Sequence, residues 1–421
     1  MLNFRILALF FSIPAAIIFC RPTWAAELPL LRLADIHYKG AFRLPAATYG
    51  GSSLNYSEGP LEYNPTHHSI FIVGHSHHQN IAEFAIPGLK NSTILQNLPM
   101  AAAPLQQFTP ILNRATSGNP QKLDRIGGMR FFNSSRGPQL LINAYEYYDA
   151  PGDNSQTTLI ARDSSELGSC TMDGYHSFQG GAGHTSGWIS PIPQQWQNSL
   201  GGDSITGQSS GIPIISRTSV GPSAFTFFAN DLIETTSITS PISTTKLLDF
   251  SLAHPLHEDL SNISGNNDIW THLSRVVYGF IVPDTRTYLT IGHSGGHDSG
   301  VCYKCVQNNG NLCGGYCAND ANDYSLYYWS WDIEDMLAVK NGTMLSHDVR
   351  PYDYGMFPTP FATRSFGGGS FDPGSGTLYL TIQKADLMQG TYSNPPVVVA
   401  FTFNSAADNT TVAPANFLLL K

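Results

Sequence analysis

The chain has 421 residues, a net charge of −9 and only 13% charged residues, with 39 glycines and 27 prolines. Its 42% apolar content is enough to build a core, which excludes a disordered chain. The sparse charge excludes a coiled coil or helical bundle, and an acidic balance without any basic run excludes nucleic acid as a partner.

Residues 1–25 read as an export signal. Arg5 supplies the positive start, residues 6–19 an apolar stretch, and Thr23 and Ala25 the small residues before a cleavage site after Ala25. Pro14 and the short run argue against an uncleaved anchor, and bulky Phe19 argues against lipidation at Cys20. No later stretch reaches the roughly 18 apolar residues of a membrane span. The mature chain, residues 26–421, is expected to be secreted or periplasmic, a single domain with insertions at about 168–216 and 294–323.

Beyond the signal the chain repeats one grammar. After a strand expected from His37 to Pro45, a glycine-opened strand at 59–65 leads to the alternating strand 69–73 and then to 80–86. The same order recurs from Gly127, from Val277 and from Gly367, and a further opening begins at Gly221. Each unit has a first strand rich in small residues, a turn built on Pro, Asn, Asp or Gly, a period-two second strand such as 377–382, and a third strand that carries aromatic residues. Radial repetition of such units is how an all-β chain protects its sheet edges, so the pattern predicts a β-propeller. About five blades are recognisable, the wide gaps leave room for six or seven, and the N-terminal strand is expected to complete the last blade.

This topology sends the turn between the first two strands to one face of a disc. The loop between strands two and three, and the entry to strand one, go to the other face. The second set carries the chemistry: Gly74, His75, His77 and His78 in one blade, Glu146 and Asp149 in another, Gly292, His293, His297 and Asp298 in a third, and Asp386 in a fourth. Arg125, Arg217, Arg275 and Arg364 each precede a glycine-opened strand. A ring of guanidinium groups at a channel mouth would bind an anion bidentately, or each would pair with a carboxylate of the next blade as structural glue. His75, His77, His293, His297 and Asp298 are spaced for a divalent metal between blades, with His184 as a further ligand; the alternative is imidazoles that hold backbone carbonyls. The segment 168–216 is expected to form a lid, with Trp188 and Trp196 available to stack on sugar faces.

Of the six cysteines, Cys302, Cys305, Cys313 and Cys317 are clustered. Behind an export signal they point to two disulfides, with the pairing open, and in a cytosolic chain they would suggest zinc. Cys170 reads as a small buried apolar residue. No nucleophile elbow, phosphate loop, dinucleotide fingerprint or zincin motif is present, and nothing in the spacing favours Glu146 with Asp298 or Asp386 as a glycosidase carboxylate pair.

The units around Asn64 and Pro65, Pro283, and Asp372 and Pro373, with the segment Trp329 to Asp332, resemble exported bacterial β-propeller proteins of unassigned function. The resemblance spans most of residues 36–403 and implies a disc with a site at one end of its channel, but no particular reaction. The sequence lacks the Trp-Asp repeat ending and the Ser-x-Asp-x-Gly-x-Thr-Trp box of the better-defined propeller classes. Two functional expectations follow. The first is an extracytoplasmic propeller that binds an anionic or carbohydrate ligand on the face of the strand two to three loops. The second is a metal-assisted extracellular hydrolase or lyase using the loop histidines. A structural or adhesive protein that meets a surface protein is the third possibility.

Overall fold

The computed structural model describes residues 28–361 and 363–404, so the expected export signal lies outside the described residues. Five four-stranded antiparallel sheets form the blades. Blade 1 is built from Leu61–Asn64, Ser69–Val73, Ile81–Ala85 and Gln106–Thr109. Blade 2 is built from Arg125–Ser134, Gly137–Tyr145, Thr158–Ala161 and Met172–His176. Blade 3 has Ile189–Pro191, Ser204–Thr206, Ala224–Phe227 and Thr245–Leu248, and blade 4 has Arg275–Ile281, Thr287–Gly295, Tyr324–Asp332 and Asp353–Met356. Blade 5 takes Phe366–Asp372, Thr377–Ile382 and Val397–Phe403 from the end of the chain and Ile36–Arg43 from its beginning. The fold is a five-bladed β-propeller closed by its N-terminal strand.

The first strand of each blade is innermost and touches the first strands of both neighbouring blades, so the ring is complete. Glycine makes that crowding possible. A Cβ on Gly128 would collide with the backbone of Gly187 and Trp188, and one on Gly368 would lie 2.5 Å from the Cα of Pro60. The gaps between blades are bridged by side chains of the inner layer. Glu62 of blade 1 accepts from the Phe131 N–H of blade 2 (2.8 Å) and from the Ser370 hydroxyl of blade 5 (2.7 Å). Ser190 of blade 3 donates to the Gly279 carbonyl of blade 4 (2.7 Å), and the Phe371 N–H of blade 5 donates to the Tyr278 hydroxyl of blade 4 (2.9 Å). Arg130 of blade 2 reaches the Ser204 hydroxyl of blade 3. Around this ring the sheets bury aliphatic and aromatic side chains against one another, including Trp188, Trp270, Trp329 and Trp331.

The closing strand pairs Ile36 with Phe403 through Arg43 with Val397. Its end is pinned where the Arg43 guanidinium meets the buried Asp386 carboxylate at 2.8 and 3.1 Å, an ion pair that holds Asp386 below the ordinary carboxylate range despite its burial.

One expectation about the chain's layout is corrected. Residues 168–216 are not an insertion: they contain the outer strand of blade 2 and the two inner strands of blade 3. The opening at Gly221 leads into the third strand of blade 3 rather than its first. Between the second and third strands of blade 4, by contrast, a two-stranded hairpin pairs Val301–Tyr303 with Tyr316–Ala318 and is stapled by Cys302–Cys305 and Cys313–Cys317 disulfides. Cys170 is free and half-buried beside Met172. No helix among the described residues is long and apolar enough to cross a membrane.

Candidate functional site

Every blade contributes to a narrow slot at the channel mouth, on the face of the strand two to three loops. Its walls are Glu58, Pro60 and Gln79 of blade 1, Arg125, Tyr145 and Tyr147 of blade 2, Trp188 and Gln208 beside blade 3, Arg275 of blade 4 and Gly367 of blade 5. The slot has a cavity volume of about 40 Å³, room for a few water-sized groups.

Strand register explains why two of the arginines meet there. Arg125 and Arg275 are each the first residue of an inner strand, opposite the end of the second strand: Arg125 faces Tyr145 and Arg275 faces His293. The Arg275 Nη2 donates to the Tyr145 hydroxyl at 2.9 Å, and no carboxylate of the described residues lies within ion-pair distance of it. Tyr145 first, then Glu58 and Tyr147, hold its pKa above the ordinary arginine value against the opposing effect of burial, so the charge is permanent. Arg125 sits 5.0 Å from the centre of the Tyr147 ring and 3.2 Å from the exposed carboxylate of Asp124. Gln79 is committed to the scaffold, accepting from the Ile126 N–H at 2.7 Å. Glu58 stands at the rim, 3.4 Å from the Lys384 ammonium.

The other two arginines are elsewhere. Arg217 lies in the loop after the second strand of blade 3 and donates to the Asp149 and Ala150 carbonyls at 3.0 and 3.1 Å. Arg364 packs on the Tyr324 ring and reaches Asn322. Trp188 reaches the floor of the slot, but its ring is buried and its Nε1 donates to the Tyr288 hydroxyl at 2.9 Å, so it does not offer a free face for stacking. Trp196 belongs to the helix Gln194–Leu200 and donates to the Thr285 carbonyl on the opposite face of the disc.

The expected metal set is not assembled. Among the described residues, no three of His75, His77, His293, His297 and Asp298 bring ligand atoms within 4.8 Å of one another; the group that does is Cys302, Cys305 and Cys317 of the stapled hairpin. Both His297 nitrogens are engaged, with Ser294 Oγ at 2.7 Å and the Asn267 carbonyl at 2.8 Å. His75 lies among His77 and His78, and its Nδ1 accepts from the His77 N–H. His184 pairs with Asp249 at 2.6 Å. His293 stands opposite Arg275 in the strand pairing, and burial, reinforced by that cation, lowers its pKa to about 3, so it is neutral. Nor do the carboxylates pair up: Glu146 accepts from Asn154, Asp386 holds Arg43, and the Asp298 N–H donates to Asp323.

Beside the slot, and sharing Arg275 and Tyr147 with it, runs a groove with a cavity volume of about 580 Å³. Tyr148, Ile212, His272, His293, Tyr303 and Tyr316 are among its walls. Sequence reasoning passed over Tyr145, Tyr147, Tyr303 and Tyr316. For the first two a signal existed, since they flank Glu146 in a loop already recognised as chemically loaded.

The chain matches no protein-family model, and no curated protein is similar to it in sequence. Among solved structures it is similar to the catalytic domain of a Coprinopsis cinerea GH62 alpha-L-arabinofuranosidase, with a TM-score of 0.35 and 10% identity over 87% of this chain and 98% of that one. A likeness this distant carries neither a substrate nor a residue role across.

Proposed function

We propose that this propeller binds an acidic carbohydrate at its channel mouth, on the exported side of a membrane, with a sugar carboxylate seated between Arg275 and Arg125. The observation that carries the reading is Arg275: a permanently charged guanidinium lining the slot, bonded to a phenol and to no carboxylate. Structural arginines of the interior are normally paired, because a buried charge without a counter-charge is costly. A ligand carboxylate would provide that counter-charge through charge-assisted hydrogen bonds, with the Tyr145 hydroxyl already orienting the fork. The slot admits an acid group and little more, so the rest of the sugar would lie outside it. Export is supported by the composition of residues 1–25 and by two disulfides in one surface hairpin.

The test is calorimetric titration of the purified protein with short oligouronides and with the same sugars after reduction of their carboxyl groups. Binding of the acid form alone, weakened about thirtyfold in Arg275→Gln, is expected. Equal binding of both forms would remove the anion from the account, and binding of neither would remove the carbohydrate.

A further inference from the structure

The stapled hairpin lies between the second and third strands of blade 4, and its tyrosines line the groove that adjoins the slot. Its paired tyrosines, Tyr303 and Tyr316, are 57% and 44% exposed, with ring centres 4.9 Å apart. Tyr316 is held from behind by a parallel stack on His272 at 3.9 Å, which fixes one ring face and leaves the rest of the ring toward the groove. Across from them stand Tyr147 and Tyr148, 41% and 59% exposed. Large rings left this open are normally covered by something. The groove's size falls within the range that holds a ligand of several rings, about 300–1,000 Å³.

Resting on the reading of the slot, we infer that this groove is an extended binding site for a linear acidic polysaccharide, in which sugar rings beyond the one anchored at Arg275 stack against Tyr303 and Tyr316 of the disulfide-stapled hairpin. Continuity decides the occupant. Arg275 and Tyr147 line both cavities, so a chain whose acid group enters the slot can leave along the groove. Sugar rings have apolar C–H faces and hydroxyl edges, which suits phenol rings and neutral imidazoles better than it suits an ion. His272 and His293 supply those imidazoles. Lys304, 5.2 Å from the Tyr303 ring centre, adds a cation at the outer end for a further carboxylate.

The experiment compares a di-uronide with a hexa-uronide on the full protein and on Tyr303→Ala/Tyr316→Ala. The hexamer is expected to bind the unaltered protein about tenfold more tightly than the dimer, equivalent to about 1.4 kcal/mol. The double variant should lose that advantage and keep its dimer affinity, which also shows that it has folded. If the double variant loses both ligands, Tyr303→Phe/Tyr316→Phe, which keeps the rings, should retain the length advantage. Equal affinity for the two lengths, or an advantage that survives removal of both rings, overturns the inference and leaves the slot reading standing. The reverse outcome, a carboxyl-reduced hexamer that binds through the tyrosines while no dimer binds, keeps the groove and sinks the slot. No binding of either length ends both.

Discussion

Arg130 and Arg275 both rise from inner strands of this propeller, one in the middle layer of blade 2 and one at the mouth of blade 4, and their surroundings differ in kind. Arg130 reaches Ser204, with the carboxylates of Asp203 and Glu62 close enough to offset part of the cost of burying it. Arg275 bonds a phenol, feels the rim carboxylate of Glu58 only from a distance, and faces a slot. The middle layer is therefore closed: Glu62 is bonded to Phe131 and Ser370, and the inter-blade hydrogen bonds leave no room for a ligand. At the mouth, Arg275 has no carboxylate in contact with it, and only Glu58 acts on it from farther off. The contrast separates an arginine that holds blades together from one free to hold something else.

Removing the closed-layer cation should have the largest effect. Arg130→Ala is expected to destabilise the fold by about 3 kcal/mol or more, read by denaturant unfolding, because it strands buried acidic neighbours. A change below about 0.5 kcal/mol would dissolve the distinction drawn here.

Next in size is a pair of opposite pH responses. Burial raises the Glu62 pKa to about 7, so its contribution to stability is full below the ordinary value of 4.5 and is lost as pH rises toward 7. For His293, at about 3, the contribution is full above 6.5 and is lost as pH falls toward 3. Thermal unfolding of Glu62→Gln should lose the decline between pH 4.5 and 7, worth at most about 3 kcal/mol. His293→Gln should flatten the acid side instead. Unchanged profiles in both variants would show that neither group titrates as its burial requires.

At the mouth, Arg275→Gln is expected to weaken binding of a short oligouronide by about thirtyfold, near 2 kcal/mol, while shifting stability by less than about 1 kcal/mol. Arg125→Gln should weaken it less, by about fivefold, because Asp124 already draws on that charge. Arg217→Gln, whose guanidinium is spent on backbone carbonyls, should leave the affinity where it was. An affinity loss that followed Arg217 and spared Arg275 would move the site away from the axis.

The propeller was legible because four inner strands announce themselves with glycine and a turn. Blade 3 was not, since Ile189–Pro191 and Ser204–Thr206 are three residues long and carry Ser, Thr and Pro in place of an apolar alternation. That hid the blade's start, turned two of its strands into an apparent insertion, and gave Arg217 an equivalence it lacks. The Gly-His pairs misled for a related reason. In blades 1 and 4 the pair sits at the end of the second strand, opposite Ser57 in one and Arg275 in the other, so the recurrence reflects register rather than a shared ligand set. The face was readable from topology. Which groups on it converge was not, because the slot is assembled from five blades whose spacing no local pattern encodes.

On the proposed reading, Arg275 has no carboxylate in contact with it because a ligand carboxylate takes that place. Titrating a short oligouronide and its carboxyl-reduced form into the unaltered protein and into Arg275→Gln tests this most directly. Only the acid form is expected to bind, and about thirtyfold more weakly to Arg275→Gln than to the unaltered protein. Acid and reduced forms that bind alike, or an Arg275→Gln protein that binds the acid form undiminished, would contradict it.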